Sequence, residues 1–120
     1  MGAKLGLGDN SLKKVKEVNL KRNEAIENCV KAGVKLGLGS DLHGRQYLEN
    51  QSKELILRSR MQKNIDLLRS ATSINAEIMQ MKNKIGVIKE GALADIILWN
   101  KNPIKNINIF NDSKKNLLLI

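Results

Sequence analysis

Apolar positions recur through the first third of the chain at helical spacing. Leu12, Val15 and Val18 form one stripe, and Ile26, Cys29 and Val30 form a second. The register slips between them around Leu20 to Asn23. That slip predicts one bent helix or two short ones, with Ser11 as the first N-cap and Asn23 as the second. Gly33 ends the pattern, because a left-handed glycine satisfies the last helical carbonyls at no steric cost. Val34 to Leu38 is short and apolar, as expected of a strand covered on both faces. Residues 42–50 are polar and read as a loop. Gln51 to Met61 carries Leu55 and Ile56 and is predicted helical. Asn64 caps a further helix carrying Ile65, Leu67 and Leu68. Ser70 to Ser73 interrupts it, and Thr72 is expected to cap a third short helix carrying Ala76, Ile78, Met79 and Met81.

The pattern changes after Lys84. Ile85, Val87 and Ile88 lead into Glu90-Gly91, a turn with glycine where a positive φ is needed. Ala94 to Trp99 reads as a strand, Asn102-Pro103 as a turn, and Ile107 to Phe110 as a short strand. Leu117 to Ile120 is apolar. Strand signals replace helical ones here, so a small β layer is expected behind an α/β segment.

At 120 residues the chain is one domain or part of a larger one. The only aromatics are Trp99, Tyr47 and Phe110, so the core must be built from aliphatic residues, which suits repeating α/β layers. The net charge of +9 comes from 21 Lys and Arg against 12 Asp and Glu. The lysines are scattered, and three aromatics offer no stacking platform for single strands. Solvated lysine faces are therefore expected, with no nucleic-acid partner. Cys29 stands alone, so no intrachain disulfide forms, in keeping with a cytoplasmic protein. No apolar run reaches the length of a membrane span.

Asp41 is the first chemical candidate. It follows two small residues just past the carboxyl end of the Val34–Leu38 strand, the edge where α/β proteins place their chemistry. Taken without further context, an aspartate in such a glycine-rich loop is more often a turn or helix cap. His43, two residues on, falls on the same side of an extended chain. It reads either as a substrate contact or as an exposed loop histidine. Asp95 is expected to accept backbone N–H groups of its turn, and Arg58 and Arg60 to be solvated. Gly37-Leu38-Gly39 opens like a dinucleotide loop, but Leu42 stands where the third glycine belongs. Lys4 to Gly8 repeats as Lys35 to Gly39, about one β-α unit apart.

Four motifs together resemble the amidohydrolase superfamily. Gly86-Val87-Ile88-Lys89-Glu90-Gly91-Ala92-Leu93-Ala94-Asp95-Ile96 resembles the run that closes a β-sandwich beside a (β/α)8 barrel in that family, and Asn102-Pro103 the pair that follows it. Ser70-Ala71-Thr72 with Asn75 is similar to the preceding helix junction. Ala32-Gly33-Val34 through Gly39-Ser40-Asp41 is similar to barrel strand eight, whose terminal aspartate binds metal. Leu42, Gly44 and Gln51 are similar to the prolidase-like and imidazolonepropionase-related branch.

The resemblance implies an α/β fold: the C-terminal portion of a (β/α)8 TIM barrel over residues 1–82, then strands of a small composite β-sandwich over 83–120. It implies hydrolysis of C–N bonds in small amides or dipeptides by metal-activated water, with a divalent metal, zinc by expectation. Asp41 would hold the metal and carry the proton from the attacking water to the leaving nitrogen, and His43 would contact substrate. The family's other ligands include a His-x-His pair and further histidines, whereas this chain has one histidine. The chain is therefore expected to be a fragment, inactive alone, that works with a missing N-terminal barrel chain or as a homo-oligomer. The alternative is a non-catalytic basic module that docks on a partner chain or anionic ligand.

Overall fold

The computed structural model describes residues 8–42 and 50–119. His43, the loop around it and the first copy of the Lys-Leu-Gly-Leu-Gly repeat, apart from Gly8, lie outside the described residues. The chain divides into two compact units between Val34 and Lys35.

In the first unit, a single helix α1 runs from Asp9 to Lys31. Its interior has neither glycine nor proline, so the slip in apolar register does not break it. The N-cap is Gly8, and Ser11 and Asn23 lie inside the helix. Asp9 in the first turn and Lys31 in the last complement the helix dipole. The exit is as expected. Gly33 has φ +70°, its N–H donates to Val30 O at 3.1 Å, and the Val34 N–H donates to Cys29 O at 3.0 Å. These paired bonds form a Schellman motif.

The second unit is built on short helices. α2 spans Lys53–Arg58 and α3 spans Asn64–Arg69. A π-helical turn, Ser70–Ile74, then carries the chain without interruption into α4, Asn75–Ile78. Thr72 caps nothing, since it sits inside this turn, where its hydroxyl donates to Leu68 O at 2.7 Å. Asn64 does not cap α3 either. Lys63 is the N-cap, and the Asn64 amide donates to Ile104 O at 2.8 Å, tying the helix to the later loop.

The remaining elements are β1 (Leu98–Trp99), a 3₁₀ helix (Ile107–Asp112), α5 (Ser113–Asn116) and β2 (Leu117–Leu119). The two strands pair antiparallel, Leu98 opposite Leu119 and Trp99 opposite Leu117, with a register shift between the pairs. The Asn102 carboxamide accepts from the Ile104 N–H at 2.9 Å and so makes the expected turn. Buried Leu55, Leu67 and Ile107 form the core, with Leu38, Ile56, Leu68, Ala71 and Phe110 packed against it. The Trp99 ring meets Phe110 edge-on at 4.8 Å.

The expected α/β class is corrected by this arrangement. The described chain is mostly helical, and its sheet is open and two-stranded, so it forms neither a closed TIM barrel nor a sandwich. Two predicted strands do not form, and a third is cut to its last two residues, Leu98–Trp99. Among the described residues, Lys35 to Ser40 has no strand beside it, and side chains take up its backbone groups instead. Ala94 to Ile97 pairs with no strand among the described residues, and Ile96 and Ile97 are about half exposed. Ile107 to Phe110 coils into the 3₁₀ helix, which turns Ile107 and Ile109 inward. No helix among the described residues is long and apolar enough to cross a membrane.

Candidate functional site

The stretch from Lys35 to Asp41 is held at Lys35, Gly37 and Leu38 by groups from the helices. The Lys35 ammonium donates to both carboxylate oxygens of Glu77, at 2.8 and 2.9 Å. That contact, followed by charge attraction from Lys35 and then Lys82, lowers the Glu77 carboxyl below its ordinary value. Leu36 is partly buried. The Gly37 carbonyl accepts from Arg58 Nη1 at 2.7 Å.

Leu38 is bracketed. Its N–H donates to Asn75 Oδ1 at 3.0 Å, and its carbonyl accepts from Asn75 Nδ2 at 2.8 Å. One carboxamide thus replaces the donor and acceptor that a neighbouring strand would offer an extended residue. The Leu38 N–H also reaches Ser70 O in the π turn, at 3.3 Å. Its side chain packs on the core. Gly37 is required for this closeness. A Cβ there would lie 2.6 Å from Asn75 Oδ1 and 2.7 Å from Ile78 Cδ1.

Asp41 follows three residues later, exposed, with φ +46°. A left-handed backbone is unusual for a residue with a side chain, although aspartate tolerates it better than most. His43 lies outside the described residues, so its relation to Asp41 stays an expectation. Asp95 is exposed on the unpaired run before β1. Among the described residues, no group of three or more His, Cys, Asp or Glu is placed to hold a metal ion. The expectation that this chain carries a metal-binding site is corrected accordingly: one carboxylate does not meet the three protein ligands that a catalytic zinc needs.

Arg58 also departs from expectation. It is 5% exposed, not a solvated helix residue. Its Nε donates to Gln62 Oε1 at 2.8 Å. Burial lowers its pKa, partly offset by the nearby charge of Glu54. A basic residue in a helical stretch carries no mark of burial. The clue in the sequence was its place, three residues after Leu55 on the core-facing side of α2. The clamping role of Asn75 had no local signal at all, since Leu38 precedes it by 37 positions.

A family model described as the amidohydrolase family matches residues 10–119. The chain belongs to the amidohydrolase family. No curated protein matches it. Among solved structures, a prolidase complexed with N-methylphosphonate-L-proline is 39% identical, with a TM-score of 0.85 over 97% of this chain and 28% of that one. A structure described as an amidohydrolase is 32% identical, with a TM-score of 0.84 over 97% and 28%. A Xaa-Pro dipeptidase with methionine bound in its active site is 26% identical, with a TM-score of 0.69 over 79% and 22%. The chain spans 28% of the length of the first two of these structures and 22% of the third.

Proposed function

We propose that this chain supplies one carboxylate, Asp41, to the centre of a hydrolase that cleaves C–N bonds in small amides or dipeptides. The other groups of that centre belong to a further part of a longer polypeptide or to a partner chain. Asp41 takes a proton from the attacking water and returns it to the leaving nitrogen, work suited to an exposed carboxylate on a fixed backbone. The observation that carries this reading is the clamp itself. Contacts to Gly37 and Leu38 hold the chain three residues before Asp41, whose own backbone is left-handed, and this supports a carboxylate presented from a held segment.

A catalytic zinc site does not form from the described residues alone. Among the described residues no group of three or more His, Cys, Asp or Glu is placed to hold one, so no step is assigned to a metal here. Prolidase-type substrates, dipeptides ending in proline, are favoured within this reading by the likeness to a prolidase and a Xaa-Pro dipeptidase.

The direct test is metal analysis of the purified chain, with assay against a panel of amides and dipeptides. The expected result is no stoichiometric metal and no turnover. Turnover by the chain that survives Asp41→Asn would overturn the proposal.

A further inference from the structure

Two acceptors converge on the Leu38 N–H, Asn75 Oδ1 at 3.0 Å and the Ser70 carbonyl at 3.3 Å. They come from residues five apart. A regular α-helix turns such residues about 140° away from one another. The π turn Ser70–Ile74 removes this difference, because its bonds run from i to i+5 and stack residues at that spacing. Ser70 is itself anchored, 1% exposed and with its hydroxyl donating to Asp66 O at 2.9 Å. The turn therefore delivers Asn75 to Leu38.

The turn is also buttressed from outside the helix. Gly86 comes so close that a Cβ there would lie 2.6 Å from the Thr72 carbonyl and 3.1 Å from the Ser73 nitrogen. Asn75 has little freedom of its own, since both polar atoms of its carboxamide are spent on Leu38 and Gly37 closes against its Oδ1. Asp41 lies three residues past Leu38. Its left-handed backbone leaves a narrow range of φ and ψ to absorb a displacement arriving along the chain.

We propose that Asn75 is a positioning residue of the hydrolase: delivered by the π turn, it acts through Leu38 to set where the Asp41 carboxylate stands. Asn75 touches neither substrate nor water in this account. The inference rests on the reading that Asp41 carries the proton transfer, and it names the side chain on which that transfer depends.

The test uses the full-length hybrid in which this chain replaces the matched segment of the 39%-identical prolidase, assayed on a proline dipeptide. Asn75→Ala should lower kcat at least about ten-fold and keep KM within about two-fold, as expected when a reacting group is misplaced and substrate binding is not. Gly37→Ala, which forces a methyl against Asn75 Oδ1, should give the same split. Asn64→Ala is the control. It also removes a carboxamide bond to a backbone carbonyl, that of Ile104, but away from the Lys35–Asp41 segment, and should leave kcat unchanged. Moving the carboxamide by one position, in Ile74→Asn with Asn75→Ala, should not rescue kcat. In the chain by itself, the Asp41 backbone amide should shift in the NMR spectrum of Asn75→Ala and stay in place in Asn64→Ala. Circular dichroism establishes that each variant is folded.

An unchanged kcat in folded Asn75→Ala would overturn the inference, as would an effect on KM alone, an equal loss of kcat in Asn64→Ala, rescue by Ile74→Asn, or an Asp41 amide that ignores Asn75→Ala. Asp41→Asn separates the two readings. If it abolishes turnover while Asn75→Ala does not lower kcat, this inference alone fails. If it leaves turnover intact, the proposed role of Asp41 fails and takes this inference with it.

Discussion

The Asn75 carboxamide closes both backbone groups of Leu38, accepting from its N–H at 3.0 Å and donating to its carbonyl at 2.8 Å. A side chain on α4 thereby does for Leu38 what a paired strand does elsewhere. This has a consequence for the variants of Asn75. Asn75→Ala removes both bonds and should cost about 1–3 kcal/mol, measured by denaturant unfolding.

Asn75→Asp gives a sharper result. The new carboxylate still accepts from the Leu38 N–H but sets an oxygen against the Leu38 carbonyl. Its protonated form can donate there, so the folded state raises its pKa. The destabilisation should be greatest at neutral pH and shrink as the pH falls through that raised pKa. Unfolding curves that show the same loss at acid and neutral pH would refute the bracket.

The glycines separate steric from conformational costs. Gly33 and Gly86 both have positive φ, +70° and +69°. A Cβ at Gly33 would meet nothing within 4 Å, whereas one at Gly86 would lie 2.6 Å from the Thr72 carbonyl carbon and oxygen. Gly33→Ala should cost about 1 kcal/mol. Gly86→Ala should cost at least about 3 kcal/mol, because backbone in the π turn must move. Equal losses in thermal unfolding would contradict this packing.

The Lys35–Glu77 pair makes a prediction for acid. The Glu77 carboxyl is held below its ordinary value, chiefly by its bond to Lys35. Its contribution is therefore present above the ordinary carboxylate pKa and is lost as the pH falls through the lowered one. The pair is solvent-exposed, so the contribution should be small and should diminish with salt. Glu77→Gln should flatten the acid limb of the stability curve at low ionic strength. An unchanged acid limb would exclude the linkage.

Much of the local structure was legible in the sequence. Gly33 and Gly91 adopt the positive φ expected of them, and Asn102 makes its turn. The family was legible from short motifs that depend on particular glycines, such as Gly86 against the Thr72 carbonyl. The strands were not legible. Apolar runs such as Ile96-Ile97-Leu98 have strand character, but a ladder needs a neighbouring backbone, and among the described residues of that segment Leu98 and Trp99 find one, in Leu117–Leu119. The unbroken helix from Asn64 to Ile78 was hidden because serine and threonine usually mark helix ends. Here Ser70 and Thr72 bond back to Asp66 and Leu68 carbonyls within the helix. Arg58 was misjudged because its acceptor, the Gly37 carbonyl, is far away in sequence.

A hybrid in which this chain replaces the matched segment of the 39%-identical prolidase tests the role of Asp41 directly. Hydrolysis of a proline dipeptide is then compared between the hybrid and its Asp41→Asn form. Turnover by the hybrid is expected, with a kcat at least about a hundred-fold lower in Asp41→Asn and KM little changed. A folded hybrid without turnover, or one whose kcat ignores Asp41→Asn, would contradict it.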